Sequence, residues 1–168
     1  MYGNNIVLIG MPGAGKSTVG VILAKVLGYE FLDSDLVIQR EEGKRLFEII
    51  DAVGTDGFLA VENRVNAGLD VSRTIIASGG SAVFGAEAMA HLKQDSVVVY
   101  LELPFEVIEE RVSNAHNRGV AMQEGQTLRD VFDIRRPLYE KYADVTVNAD
   151  LGSPERVMTA ICEALGLD

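Results

Sequence analysis

Apolar residues recur along this chain with two different periods, and the alternation of those periods predicts its architecture. Asn5-Ile6-Val7-Leu8-Ile9 is a short, nearly all-apolar run of the kind that forms a strand buried on both faces. From Ser17 to Leu27 the spacing becomes helical, with Val19, Ile22, Leu23, Val26 and Leu27 apolar and Gly28 at the stop. Glu30 to Asp35 then predicts a second strand ending in carboxylates, and a helix begins over Asp35 to Arg40 before Glu41-Glu42-Gly43-Lys44 breaks it. Arg45 to Asp70 is helical in two pieces that meet at Gly54: Leu46, Ile49 and Ile50 share one face, and Phe58, Val61, Val65 and Leu69 the next. Thr74 to Ala77 and Ser96 to Leu101 predict buried strands, with helix spacing over Ala86 to Leu92 between them. Phe105 to Arg111 is helical, whereas Ser113 to Gly125 is polar and has no period. Thr127 to Arg136 predicts a helix that Pro137 should break or kink. Ala143 to Val147 is a final strand, and Ser153 caps a closing helix that runs to Leu167. Strand and helix alternate throughout, which gives a parallel sheet of about five strands covered on both faces.

With 168 residues and no repeat, linker or low-complexity tract, the chain is expected to be one domain, residues 1–168, with a core of its own. The formal charge of −10 argues against nonspecific binding to a nucleic-acid backbone, which calls for a basic surface, so any anion site must be local. The N-terminus lacks the basic and apolar regions of a signal peptide, and no stretch approaches the ~20 apolar residues of a membrane span, so a cytoplasmic protein is expected. Cys162, the one cysteine, falls in the apolar pattern of the last helix and reads as a small core residue.

The candidate chemistry begins between the first strand and the first helix. Gly10-Met11-Pro12-Gly13-Ala14-Gly15-Lys16-Ser17 fits the phosphate-binding pattern G-x-x-x-x-G-K-[ST] at every required position. Its glycines let backbone N–H groups converge on a polyphosphate, its lysine reaches the β- and γ-phosphates, and its serine ligates Mg²⁺. Gly13, Ala14, Gly15, Lys16, Ser17 and Thr18 are therefore the candidate nucleotide-binding run. Asp33 and Asp35 stand at the carboxyl end of the second strand, where open α/β sheets bind ligands, and strand alternation would put them on one side. One could serve Mg²⁺ and the other an acceptor hydroxyl; helix capping is the plainer alternative. Glu62 either faces the site or is a solvated helix carboxylate. Gly79 and Gly80, after the third strand, would let backbone approach a ligand, and Arg111 and Arg118 bracket the polar segment that would act as a lid, about residues 112–125.

Four stretches together are similar to the shikimate kinase family, whose fold is the nucleoside-monophosphate-kinase-like P-loop fold. They are G-M-P-G-A-G-K-S-T-V-G from Gly10, F-L-D-S-D from Phe31, S-G-G-S-A-V from Ser78 and R-R-P-L-Y from Arg135. The resemblance implies a three-layer αβα kinase with a five-stranded parallel sheet, acting with ATP and Mg²⁺ in aromatic amino acid biosynthesis as a cytoplasmic monomer with no nucleic-acid or membrane partner. It implies that Lys16, Asp35 and Arg118 are catalytic, that Ser17 and Asp33 hold the metal, and that Arg111 and Arg118 flank the nucleotide. Asp35, Gly79, Gly80 and Arg135 would bind the acceptor, within a segment of about residues 34–64 and the groups facing it. Four positions depart from the family's pattern: Leu59 stands for the arginine that holds the carboxylate of shikimate, Thr55 for a glutamate, Ser81 for a third glycine, and Gly119-Val120-Ala121 for P-L-L of the lid. The expected activity is ATP-dependent phosphorylation of a small metabolite's hydroxyl, with shikimate the leading acceptor. Another polyol, cyclitol or sugar acid, or a nucleotide-binding sensor, is the alternative, with Lys44 or Arg45 available to replace the missing charge.

Overall fold

The computed structural model describes residues 4–114 and 120–167. Among them, β1 (Asn5–Ile9), β2 (Glu30–Asp33), β3 (Thr74–Ala77), β4 (Ser96–Glu102) and β5 (Val145–Asn148) form one parallel sheet in the order β2-β3-β1-β4-β5. The helices are α1 (Lys16–Leu27), α2 (Ser34–Glu42), α3 (Leu46–Ala67), α4 (Ala86–Gln94), α5 (Phe105–Asn114), α6 (Leu128–Tyr142) and α7 (Pro154–Leu165).

The first strand sits in the middle, and its run Ile6 to Ile9 is almost wholly inaccessible to water. From β1 the chain crosses through α1 to one side of the sheet, and from β3 it crosses through α4 to the other. Right-handed crossovers in opposite directions put α1 and α4 on opposite faces. α7 packs on α1, and α3 packs on α4. The reversal of direction between β1 and β3 makes a switch point, where the loops after these adjacent strands part and leave a crevice. A smaller apolar cluster of Val37, Ile38, Ile49, Phe58, Val65 and Ala121 holds α2, α3 and the start of the segment before α6 together, beside that crevice.

Three expectations need correction. The second strand ends at Asp33, and Asp35 lies in the first turn of α2, because the Asp33 carboxylate caps that helix by accepting from the Asp35 N–H at 2.9 Å. α6 continues through Pro137 to Tyr142. Pro137 is on the solvent face, so water can serve the carbonyl that its missing N–H leaves, while buried Arg135 and Tyr139 anchor the helix on either side. α5 runs to Asn114, past the expected end. The expected break at Gly54 is present inside α3, with φ 75° and ψ 175°.

Candidate active site

The crevice is a cleft of about 600 Å³ floored by the phosphate-loop pattern. Gly15 adopts φ 90° before the first turn of α1, a conformation that needs glycine, and Gly13 and Gly15 line the cleft with Lys16, Ser17 and Thr18. Lys16 is buried and donates to the carbonyls of Gly10 and Met11 at 2.6 and 2.8 Å, which seats its ammonium within the curve of the loop. Ala14 is buried, and its N–H is engaged with the Met11 carbonyl at 3.1 Å, so this member of the expected run shapes the loop from behind. Arg111 reaches back from α5 to the Gly13 carbonyl at 3.0 Å and ties that helix to the loop.

Facing the loop are the two carboxylates. Ser17 Oγ donates to Asp33 Oδ2 at 2.9 Å, so a hydroxyl and a carboxylate converge at the helix start. Hard oxygen donors of this kind suit Mg²⁺, which typically takes only one or two protein ligands and completes its shell with water and phosphate. Among the described residues no group of three or more acidic, histidine or cysteine side chains forms a fuller cage. Asp35 also lines the cleft, through the first turn of α2 and not through strand alternation. Burial, and secondarily the charge of Asp33, pushes its carboxyl up to about 6, against the pull of Lys16.

Gly79 and Gly80 form the opposite wall. A Cβ on Gly79 would lie 2.7 Å from Glu62 Oε2 and 2.8 Å from Asp35 Oδ1, so both carboxylates close on that backbone. Glu62 is thus no solvated residue: it is 2% exposed, accepts from Ser81 Oγ at 2.6 Å, and burial raises its carboxyl to about 7. Arg135 is buried behind Gly80, with Nη2 donating to the Ala121 carbonyl at 2.6 Å. It also lines a second, apolar cavity of about 280 Å³ with Leu59, Phe84, Val131 and Ile134. Arg118 lies outside the described residues, as does part of the expected lid.

Several cleft residues went unnoticed in the sequence. Gln39, Leu46 and Phe47 line it, and Phe47, 46% exposed, breaks the apolar phase of its helix and could have been found on that ground. Of the two cations considered for the missing charge, Arg45 lines the cleft, with its guanidinium 4.5 Å from the centre of the Phe47 ring. Tyr139, fully buried, donates to the Gly80 carbonyl at 2.6 Å and fixes the glycine turn.

A family model described as shikimate kinase matches residues 12–166. A shikimate kinase of Actinobacillus pleuropneumoniae is 38% identical over 164 residues, covering 96% of this chain and 95% of that protein. Among solved structures, a shikimate kinase from Acinetobacter baumannii in complex with shikimate superposes with a TM-score of 0.88 at 38% identity, covering 96% of this chain and 92% of the other. The shikimate kinase of Aquifex aeolicus gives 0.80 at 29% identity, with 96% of each chain covered.

Proposed function

Because this chain belongs to the shikimate kinase family, we propose that its cleft transfers the γ-phosphoryl group of ATP to a hydroxyl of shikimate, giving shikimate 3-phosphate. The observation that carries the reading is the position of Asp35. Its carboxylate stands between the phosphate loop and the Gly79-Gly80 turn, where an acceptor hydroxyl must be presented to the donor.

Phosphoryl transfer asks a protein for positioning and charge neutralisation more than for covalent chemistry. Lys16 leaves the loop carbonyls for the β- and γ-phosphate oxygens, and the N–H groups around Gly13 and Gly15 cradle the same charge. Ser17 and Asp33 would hold Mg²⁺, which when bound would neutralise phosphate charge. Asp35 accepts a hydrogen bond from the acceptor hydroxyl and, with a carboxyl raised toward neutrality, is suited to take its proton as the new ester bond forms. Gly79 and Gly80 offer backbone to the substrate, and Arg135 meets its acid group. Arg111 and Arg118 serve the nucleotide end. Residues 34–64 form the acceptor-binding segment of a single domain, with a lid over about 112–125. One copy supplies every group named, which supports a monomer as the working unit, and the cytoplasm is the place assigned to it.

The test is ADP release from ATP and Mg²⁺ with shikimate and with a panel of cyclitols and sugar acids, for the wild type and Asp35→Asn. Shikimate is expected to be the best acceptor, and Asp35→Asn to lose about 10²–10⁴-fold in kcat while still binding nucleotide. A panel compound that outcompetes shikimate overturns the acceptor, and an Asp35→Asn enzyme of full activity overturns the mechanism.

A further inference from the structure

Glu62 and Arg135 are both 2% exposed and lie against the same glycine turn, Glu62 at Gly79 and Arg135 at Gly80, near enough for each to feel the other's charge, yet no hydrogen bond or ion pair joins them. A buried carboxylate beside a buried guanidinium ordinarily closes on it, since the charge-assisted bond offsets the cost of removing both from water. Here each is held by something else. Ser81 Oγ donates to Glu62 Oε1 at 2.6 Å, and Arg135 gives Nη2 to the Ala121 carbonyl at 2.6 Å. Arg135 Nη1 packs against the turn, 3.0 Å from where a Cβ on Gly80 would sit. The second oxygen of Glu62 is buried, has no hydrogen-bond partner among the described residues, and lies against Gly79 on the side that Asp35 also approaches. Three residues before Glu62 on α3, Leu59 lines the adjoining apolar cavity, so this face of the helix contributes no cation that could share the work of Arg135.

We propose that Ser81 is a positioning residue of the acceptor site: its hydroxyl holds Glu62 off Arg135 and so keeps this guanidinium for the acid group of the acceptor. The inference rests on the proposed function, in which Arg135 meets a carboxylate. Without the hydroxyl, Glu62 turns onto Arg135, and an incoming carboxylate must compete with a resident one.

Steady-state kinetics at pH 8, where Glu62 is ionised, test this with the wild type, Ser81→Ala, Ser81→Thr, Glu62→Gln and the double variant Ser81→Ala with Glu62→Gln, using shikimate and its carboxyl-reduced alcohol as acceptors. Ser81→Ala should raise the KM for shikimate about tenfold, with kcat and the KM for ATP within about twofold of the wild type. Ser81→Thr keeps the donor and should restore the wild-type KM. Once Glu62 is Gln, an uncharged amide cannot seal Arg135, and removing the hydroxyl should add little. The reduced alcohol should show no Ser81→Ala penalty. Should Ser81→Ala fail to fold, Ser81→Cys weakens the donor at nearly constant size and carries the same comparison.

An unchanged KM for shikimate in these variants, an equal penalty with both acceptors, or additive effects of the two substitutions overturns the inference while leaving the activity in place. Absence of shikimate-dependent ADP release in the wild type overturns the proposed function, and this inference with it.

Discussion

Replacing Gly80 with Ala probes the joint between the two halves of the cleft. The added Cβ would lie 2.7 Å from Pro12 Cδ, 3.1 Å from Pro12 Cγ and 3.0 Å from Arg135 Nη1. Ordinary carbon contacts are about 3.5–4.0 Å, so the overlap with Pro12 is roughly 1 Å. Neither neighbour yields easily: the proline ring is rigid, and the guanidinium is buried and bonded to Ala121. The turn cannot retreat either, because Tyr139 holds the Gly80 carbonyl at 2.6 Å. Overpacking of this kind costs about 1–3 kcal/mol. At about 2–4 °C per kcal/mol for a domain of this size, Tm should fall by about 2–12 °C in scanning calorimetry. Pro12 belongs to the phosphate loop and Arg135 to the acceptor side, so the KM values for ATP and for shikimate should both rise. Gly79→Ala is the control, since the nearest neighbours of its Cβ are the Glu62 and Asp35 carboxylates, so it should disturb the acceptor side and kcat while leaving the KM for ATP near that of the wild type. A Gly80→Ala enzyme with wild-type Tm and wild-type KM for ATP would refute the reasoning.

Lys16→Ala should lower kcat by at least about 10²–10³-fold with the fold intact, checked by ADP release and circular dichroism; full activity would contradict the assigned role. Leu59→Arg enters the cavity of about 280 Å³ beside Arg135, and a bidentate bond worth about 1.5–3 kcal/mol should lower the KM for shikimate roughly ten- to a hundredfold; an unchanged KM would count against a carboxylate at that place. Glu62, with its carboxyl raised from 4.5 to about 7 first by burial, keeps a proton in the folded state that the unfolded chain has lost between those values. Stability therefore falls as pH rises through that window, at about 1.4 kcal/mol per pH unit or roughly 3 kcal/mol in all, and Glu62→Gln should remove the loss. Urea unfolding of both proteins at pH 5 and pH 8 measures it, and a wild-type-to-variant difference equal at both pH values would exclude a titrating Glu62.

The strands and the phosphate loop were legible because each rests on local signals: a continuous apolar run for β1 and β4, a glycine pattern with a lysine at fixed spacing, and a glycine at the α3 break. Asp33 and Asp35 both line the cleft, but not by the route that the sequence suggests. Alternation along a strand suggested one side, whereas the Asp33 cap turns the chain into a helix and brings Asp35 round by a different route. Pro137 misled because its cost was judged on an isolated helix, and the burial of Arg135 and Tyr139 on the opposite face outweighs it. The partnership of Ser81 with Glu62, 19 residues apart and on different elements, left no spacing signal at all. Neither did the place of Arg135 in the apolar cavity, since that cavity is formed by residues from α3, the 3₁₀ turn Ala82–Phe84, the segment before α6 and α6 itself.

The order of strands in the sheet also sets a timetable for biosynthesis. β1 leaves the ribosome first, yet both of its neighbours, β3 and β4, come later, the last of them ending at Glu102. Until β3 emerges the phosphate loop hangs from a strand with no ladder on either side, and until β4 follows that strand is paired on one side only, so nucleotide is a poor template for folding of the nascent chain. A translation product truncated before β4 would therefore carry the complete phosphate-binding motif without being retained on an immobilised nucleotide.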